Sequence, residues 1–129
     1  MIKNHQFILF ALVGIAGFVV DAGILYVVLK IGLGYFAGRA VSFTCAVLTT
    51  WLINRKTTFA HRPDQPLAEE ATRYLIAMSL GGVVNYGVYS LVIIEFHNSA
   101  YIAFCAVAAG SIAGLFFNFL SAKTWVYKH

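Results

Sequence analysis

The chain has 129 residues, 60% of them hydrophobic and 11% charged, with a mean hydropathy of +0.80. Soluble domains are nearer about 45–50% apolar and about 25% charged, and a chain this short cannot cover long apolar runs with its own polar surface, so a bilayer is its natural solvent. The net charge of +4 and pI near 9.2 require no nucleic-acid partner, because the basic residues fall where membrane topology puts them.

Four runs reach spanning length, at about 7–29, 35–53, 74–94 and 100–120. A membrane helix needs roughly 20 such residues. The first run has the flanks of a signal peptide, Lys3 and His5. It is too long for an h-region and no small-x-small site closes it, so it reads as a retained helix. Asp21 stands alone in that run, and a carboxylate at such depth marks a functional site or the partner of one. The second run opens on Gly34-x-x-x-Gly38, carries Arg39, and ends at Asn54, Arg55 and Lys56. The connection at about 54–72 contains Pro63 and Pro66, which break helix, and its mixed charges read as a solvated face. Leu67 to Arg73 reads as an interfacial lead-in to the third run. That run holds Gly81-Gly82 and Asn85, and the fourth holds Gly110-x-x-x-Gly114, Ser111 and Asn118, with Lys123 beyond it. The small residues let helices approach closely.

Cys45 and Cys105 lie inside spans without metal-ligand spacing and read as small buried hydrophobes. His5, His61, His97 and His129 flank the spans, and Glu95 with His97 reads as an ordinary loop. No Ser-His-Asp set, nucleotide loop or metal cluster is present, so the sequence points to no enzyme, metal or cofactor.

Lys3, Arg55, Lys56, Arg62, Arg73, Lys123 and Lys128 gather on one side of this topology, against Lys30 and Arg39 on the other. The positive-inside bias places both termini and the central loop in the cytoplasm. The expected architecture is therefore a single all-α integral membrane domain over 1–129 with four transmembrane helices.

The halves repeat. Phe10 through Gly17 and Asp21 can be laid over Tyr74 through Gly81 and Asn85, and Thr50 to Phe59 over Asn118 to Tyr127. Arg55 then pairs with Lys123 and Phe59 with Tyr127, after a four-residue shift of register. Two spans per half give tandem repeats of one orientation, as in many transporters.

Phe10-x-x-Val13-Gly14 with Asp21, the segment Trp51-Leu52-Ile53-Asn54-Arg55-Lys56-Thr57-Thr58-Phe59, and Asn118-Phe119 with Lys123-Thr124-Trp125-Val126-Tyr127 together resemble the GtrA-like family across about 7–127. Thr50, Thr57 and Lys123 depart from the family's usual Asn, Trp and Arg. The resemblance implies movement of polyprenyl-phosphate-linked sugars across the bacterial cytoplasmic membrane, for glycosylation of cell-envelope polysaccharides. The alternatives are a non-transporting anchor that recruits a membrane glycosyltransferase, and a proton-coupled exporter of the small multidrug type.

The helical rise places Asp21 roughly 12 Å and Arg39 roughly 7 Å below the outer ends of their spans, so the two are expected to meet. The pair is either structural or a site in which Arg39 takes a lipid-linked phosphate and Asp21 orients or releases it. Asn54, Arg55, Lys56 and Lys123 are expected at the inner boundary, as a basic cradle for phosphate or as side chains snorkelling to headgroups of membrane lipids. Trp51, Phe59, Trp125 and Tyr127 read as an aromatic belt. Asn85 and Asn118 are candidates for packing or for lining a substrate path. Four short helices enclose little volume, so a substrate path is expected to need a homodimer or a lipid-facing groove.

Overall fold

The structure, a computed structural model, describes residues 4–61, 63–96 and 101–127, the side chains at 4, 35, 36, 103, 104 and 107 excepted. Lys3, Arg62, His97, Lys128 and His129 lie outside the described residues. Helix α1 runs Asn4–Lys30, α2 Tyr35–Lys56, α3 Leu67–Glu95 and α4 Ile102–Ser121, and a π-helical turn follows at Ala122–Val126. No strand occurs among the described residues. Helices α1 and α3 are long and apolar enough to cross a membrane. Helix α2 is more polar, because it carries Arg39, Asn54, Arg55, Lys56 and several hydroxyls. Helix α3 absorbs Leu67 to Arg73, the expected lead-in. It starts directly after Pro66, and Glu69 and Glu70 in its first turn complement the helix dipole.

The helices form two hairpins, α1 with α2 and α3 with α4. In the first, a tight link turns at Gly32, whose φ of +100° suits a residue without a side chain. Each hairpin closes on glycine. A Cβ on Gly17 would fall 2.4 Å from a methyl of Thr50, and one on Gly81 would fall 1.5 Å from Oδ1 of Asn118. Gly110 meets backbone and not a side-chain tip, since its Cβ would lie 2.5 Å from the backbone carbonyl of Asn85.

The hairpins meet chiefly at the end that holds both chain termini. There Phe10, Val47, Trp51, Phe59, Tyr74, Met78, Phe119, Val126 and Tyr127 form a buried cluster. Phe59 stacks on Tyr127 at 4.6 Å with the rings 19° apart. Phe10 meets Phe59 edge-on at 6.3 Å, and Tyr74 meets Tyr127 edge-on at 6.3 Å. Both hairpins also end in the same irregular turn: the Phe59 amide donates to the Asn54 carbonyl at 2.9 Å, and the Tyr127 amide to the Ala122 carbonyl at 2.8 Å. These five-residue bonds tip each terminal aromatic into the cluster.

The expected aromatic belt is corrected by this packing. Trp51, Phe59 and Tyr127 are buried, and of the four only Trp125 stays exposed. The gap between the hairpins needs large apolar side chains more than the interface does. The cysteines are corrected as well: Cys45 is half-buried and Cys105 exposed.

Polar contacts pin the two seams at this end. Glu70, fully buried, accepts from Trp51 Nε1 at 3.2 Å and from Arg55 Nε and Nη2 at 3.2 Å. Its place in a solvated face, expected from sequence, is overturned, because it serves α2 from α3. Across the other seam Lys123 Nζ donates to Gln6 Oε1 at 2.9 Å. Away from this end, α1 and α3 do not touch among the described residues. Large apolar side chains such as Leu12, Val19, Val27, Val83 and Ile94 are exposed outside the space between the hairpins, which suits hydrocarbon and not water.

Removing one partner of a buried ion pair leaves the other uncompensated, at about 3–5 kcal/mol. Glu70→Ala is therefore expected to lower the melting temperature in detergent far more than Gln6→Ala, which removes only part-buried hydrogen bonds to Lys123 and to the Thr58 carbonyl.

Candidate functional site

A cavity of about 830 Å³ lies between the hairpins, above the aromatic cluster, with walls from all four helices. It exists because each hairpin is zipped by its own glycines while the two hairpins touch mainly at one end. Asp21, Arg39, Asn54, Asn85 and Asn118 all line it. Arg55, Lys56 and Lys123 do not belong to its lining.

At the level farthest from the termini, Arg39 Nη1 donates to Asp21 Oδ1. The same nitrogen reaches the hydroxyl of fully buried Ser42 at 3.4 Å, and that hydroxyl donates to the Arg39 carbonyl at 3.2 Å. The rest of the guanidinium has no protein partner among the described residues, and 55% of the Arg39 side chain is exposed. A pair of this kind offsets the cost of each charge within the membrane while leaving an open cationic edge.

At the bottom, Asn54 is almost fully buried. Its Nδ2 donates to the Tyr74 hydroxyl at 2.9 Å, and its Oδ1 accepts from the Thr58 hydroxyl at 2.7 Å. The Tyr74 hydroxyl donates in turn to Thr50 Oγ1 at 3.0 Å. This closed network fixes α2 against α3 directly beneath the cavity. Asn85 and Asn118 occupy the opposite wall, Asn118 with its Oδ1 against Gly81 and Asn85 against Gly110 and Gly114.

Arg55 and Lys123 sit at matching positions beyond the floor, as the repeat requires, but each is engaged across a seam, Arg55 by Glu70 and Lys123 by Gln6. Lys56 is exposed. Sequence reasoning missed Tyr74, Thr58, Glu70 and Gln6. The repeat register held a signal for the last two: Gln6 stands four residues before Phe10 as Glu70 stands four before Tyr74, which puts each on the face of an aromatic that enters the cluster.

The chain matches the family described as "GtrA/DPMS, transmembrane domain" over residues 9–127. It is similar to "Uncharacterized membrane protein YngA" of Bacillus subtilis (strain 168), at 22% identity over 118 residues, covering 92% of this chain and 76% of that protein.

The glycine contacts that shape the cavity differ in what would have to give. At Gly110 it is backbone, whereas nothing lies within 4 Å of a Cβ at Gly14. Gly110→Ala is expected to destabilise the protein by about 1–3 kcal/mol through overpacking. Gly14→Ala is expected to leave melting in detergent unchanged or raised.

Proposed function

The chain belongs to the GtrA/DPMS transmembrane-domain family, and from that premise we propose that it moves a polyprenyl-phosphate-linked sugar across the bacterial cytoplasmic membrane to supply glycosylation of cell-envelope polysaccharides. Membership ties the chain to membrane proteins that handle such lipids. The observation that carries the transport reading is the cavity, with the Asp21–Arg39 pair on its wall and one edge of the guanidinium open to it. A sugar phosphodiester carries one negative charge, and a guanidinium binds two phosphate oxygens at once. Asp21 holds Arg39 in place when no phosphate is bound. The seams part above the aromatic cluster, so a head group can enter the cavity while its isoprenoid tail stays in the bilayer.

The same reading takes all four helices as spans and both termini as cytoplasmic. Arg55, Lys56, Arg73 and Lys123 lie toward the terminal end, against Lys30 and Arg39 toward the other. Matching contacts in the two hairpins support the tandem repeat. Gly17 faces Thr50 as Gly81 faces Asn118, Phe59 stacks on its counterpart Tyr127, and the five-residue turns at Phe59 and Tyr127 coincide. A second copy of the chain, or a membrane glycosyltransferase that receives the sugar, would complete the wall where the hairpins part. An exporter of cationic drugs fits less well, because the carboxylate it would need is already engaged by Arg39.

Purified protein in liposomes is expected to flip a labelled polyprenyl-phosphate sugar without a partner. Arg39→Ala should lower that rate by about 10- to 100-fold, the size of one or two charge-assisted hydrogen bonds. Arg73→Ala removes a surface pair with Glu69 and should leave the rate unchanged. Flipping that appears only when a glycosyltransferase is added would favour the anchor, and an Arg39→Ala variant as fast as wild type would rule out the site as drawn.

A further inference from the structure

The two walls of the cavity differ in how their polar groups are occupied. On the wall from α1 and α2, the polar groups bond within the protein: Asp21 to Arg39, Arg39 to Ser42, and Asn54 to Tyr74 and Thr58. On the wall from α3 and α4, the side chains of Asn85 and Asn118 have no hydrogen-bond partner among the described residues, and Oδ1 of Asn118 is itself buried. An unpaired amide in the membrane interior is costly, and helix packing normally pairs it with a neighbouring helix. Here packing does the reverse. Glycines at 81, 110 and 114 bring the backbones so close that neither amide finds a donor or acceptor on the facing helix. Oδ1 of Asn118 is shut against Gly81, so what a ligand in the cavity can reach is the Asn118 Nδ2 and the amide of Asn85.

The chemistry of this wall is specific. Between them the two side chains present amide donors from both residues and an acceptor from Asn85, which suits a ligand rich in hydroxyls. Ser111 lies two turns from Asn118 on the same face of α4 and adds a hydroxyl. Tyr89 adds an aromatic face beside Gly110. No charged residue from α3 or α4 lines the cavity. A carboxylate or ammonium on the ligand would therefore meet no counter-charge here, in a setting where an unpaired charge is strongly disfavoured.

We infer that the α3/α4 wall, through Asn85 and Asn118, is the sugar subsite of the cavity and that it selects an uncharged sugar, while the α1/α2 wall takes the phosphate. This rests on the lipid-phosphate reading of Arg39 and assigns a separate task to the second hairpin. The charge pair of the first hairpin and the bare amides of the second are then two halves of one recognition surface.

The test is binding to the purified full chain in detergent, with three probes: a short isoprenyl phosphate, the same lipid phosphate bearing glucose, and the same bearing glucuronate. Wild type is expected to bind the glucosyl lipid about tenfold or more tighter than either other probe, the size of one or two hydrogen bonds. Asn85→Ala and Asn118→Ala should each reduce glucosyl-lipid affinity about tenfold and leave isoprenyl phosphate affinity within about twofold. Both variants should remain folded in detergent, with any loss of melting temperature limited to the packing that each amide makes on the facing glycines. The inference is overturned if the variants keep the preference for glucose, if they weaken all three probes equally, or if wild type takes the glucuronosyl lipid as well as the glucosyl one. Wild type that binds no probe at all would instead sink the lipid-phosphate reading, and this inference with it.

Discussion

The carboxylate of Glu70 is what the rest of the architecture depends on. It is fully buried and takes hydrogen bonds from both Trp51 and Arg55 of α2. A charge so placed is tolerable only with its donors in position, so it fixes the height and rotation of α3 against α2. One turn farther along, the Tyr74 hydroxyl then meets Asn54 and Thr50, and the aromatic cluster closes beneath. No comparable tie is found higher in the seam among the described residues. The cavity is the consequence of strong contact between the hairpins at one end and weak contact at the other, with each hairpin kept rigid by its own glycines.

On the proposed repeat, the two hairpins share matching contacts and differ at their charged and amide positions. The α2–α3 seam is closed by arginine and glutamate, and the α1–α4 seam, at the corresponding positions, by lysine and glutamine. In the cavity the order is reversed: the first hairpin holds the ion pair, and the second holds Asn85 where the first has Asp21. Each level of the molecule therefore has one ion pair and one member without a carboxylate. Full symmetry would place two carboxylates and two cations around a small cavity in a low-dielectric setting, with desolvation costs that their pairing would not offset. Dividing the charge lets the repeat keep its packing while the walls diverge.

What the sequence disclosed follows from which distances are local. Asp21 and Arg39 lie on adjacent antiparallel helices joined by a short link, so the rise per residue alone places them together, and they do meet. The equivalence of Phe59 and Tyr127 was also legible, because motif and spacing repeat. Their stacking was not, because it depends on how two hairpins face each other, and no periodicity within one helix encodes that. The same limit hid Glu70. A glutamate among mixed charges beside two prolines looks solvated, and its partner Arg55 belongs to the other hairpin. Basic residues at an interface carry no mark of whether they face headgroups, substrate or a buried acid, so the expected cradle of Arg55 and Lys123 could not be distinguished from the seam contacts in which both take part. The five-residue turns escaped notice for a related reason, since they are stabilised by the aromatic packing they permit.

The Asp21–Arg39 pair also bears on release. A lone arginine at this depth would cost at least ~2.5–3.5 kcal/mol on insertion scales, and a phosphate that relieved the whole of that cost would be held too firmly to leave. With Asp21 present, the empty site is already paired. An incoming phosphate gains only the difference between its own contacts with the guanidinium and those of the carboxylate, together with whatever the open edge of Arg39 adds. In the proposed transport reading, binding would thereby be weakened in step with the stabilisation of the empty state, which favours release on the far side. A sugar on the opposite wall, as inferred above, would add affinity without adding charge. On this account the acid in the first helix is a competitor for the cation, and its removal should strengthen lipid binding while slowing transport.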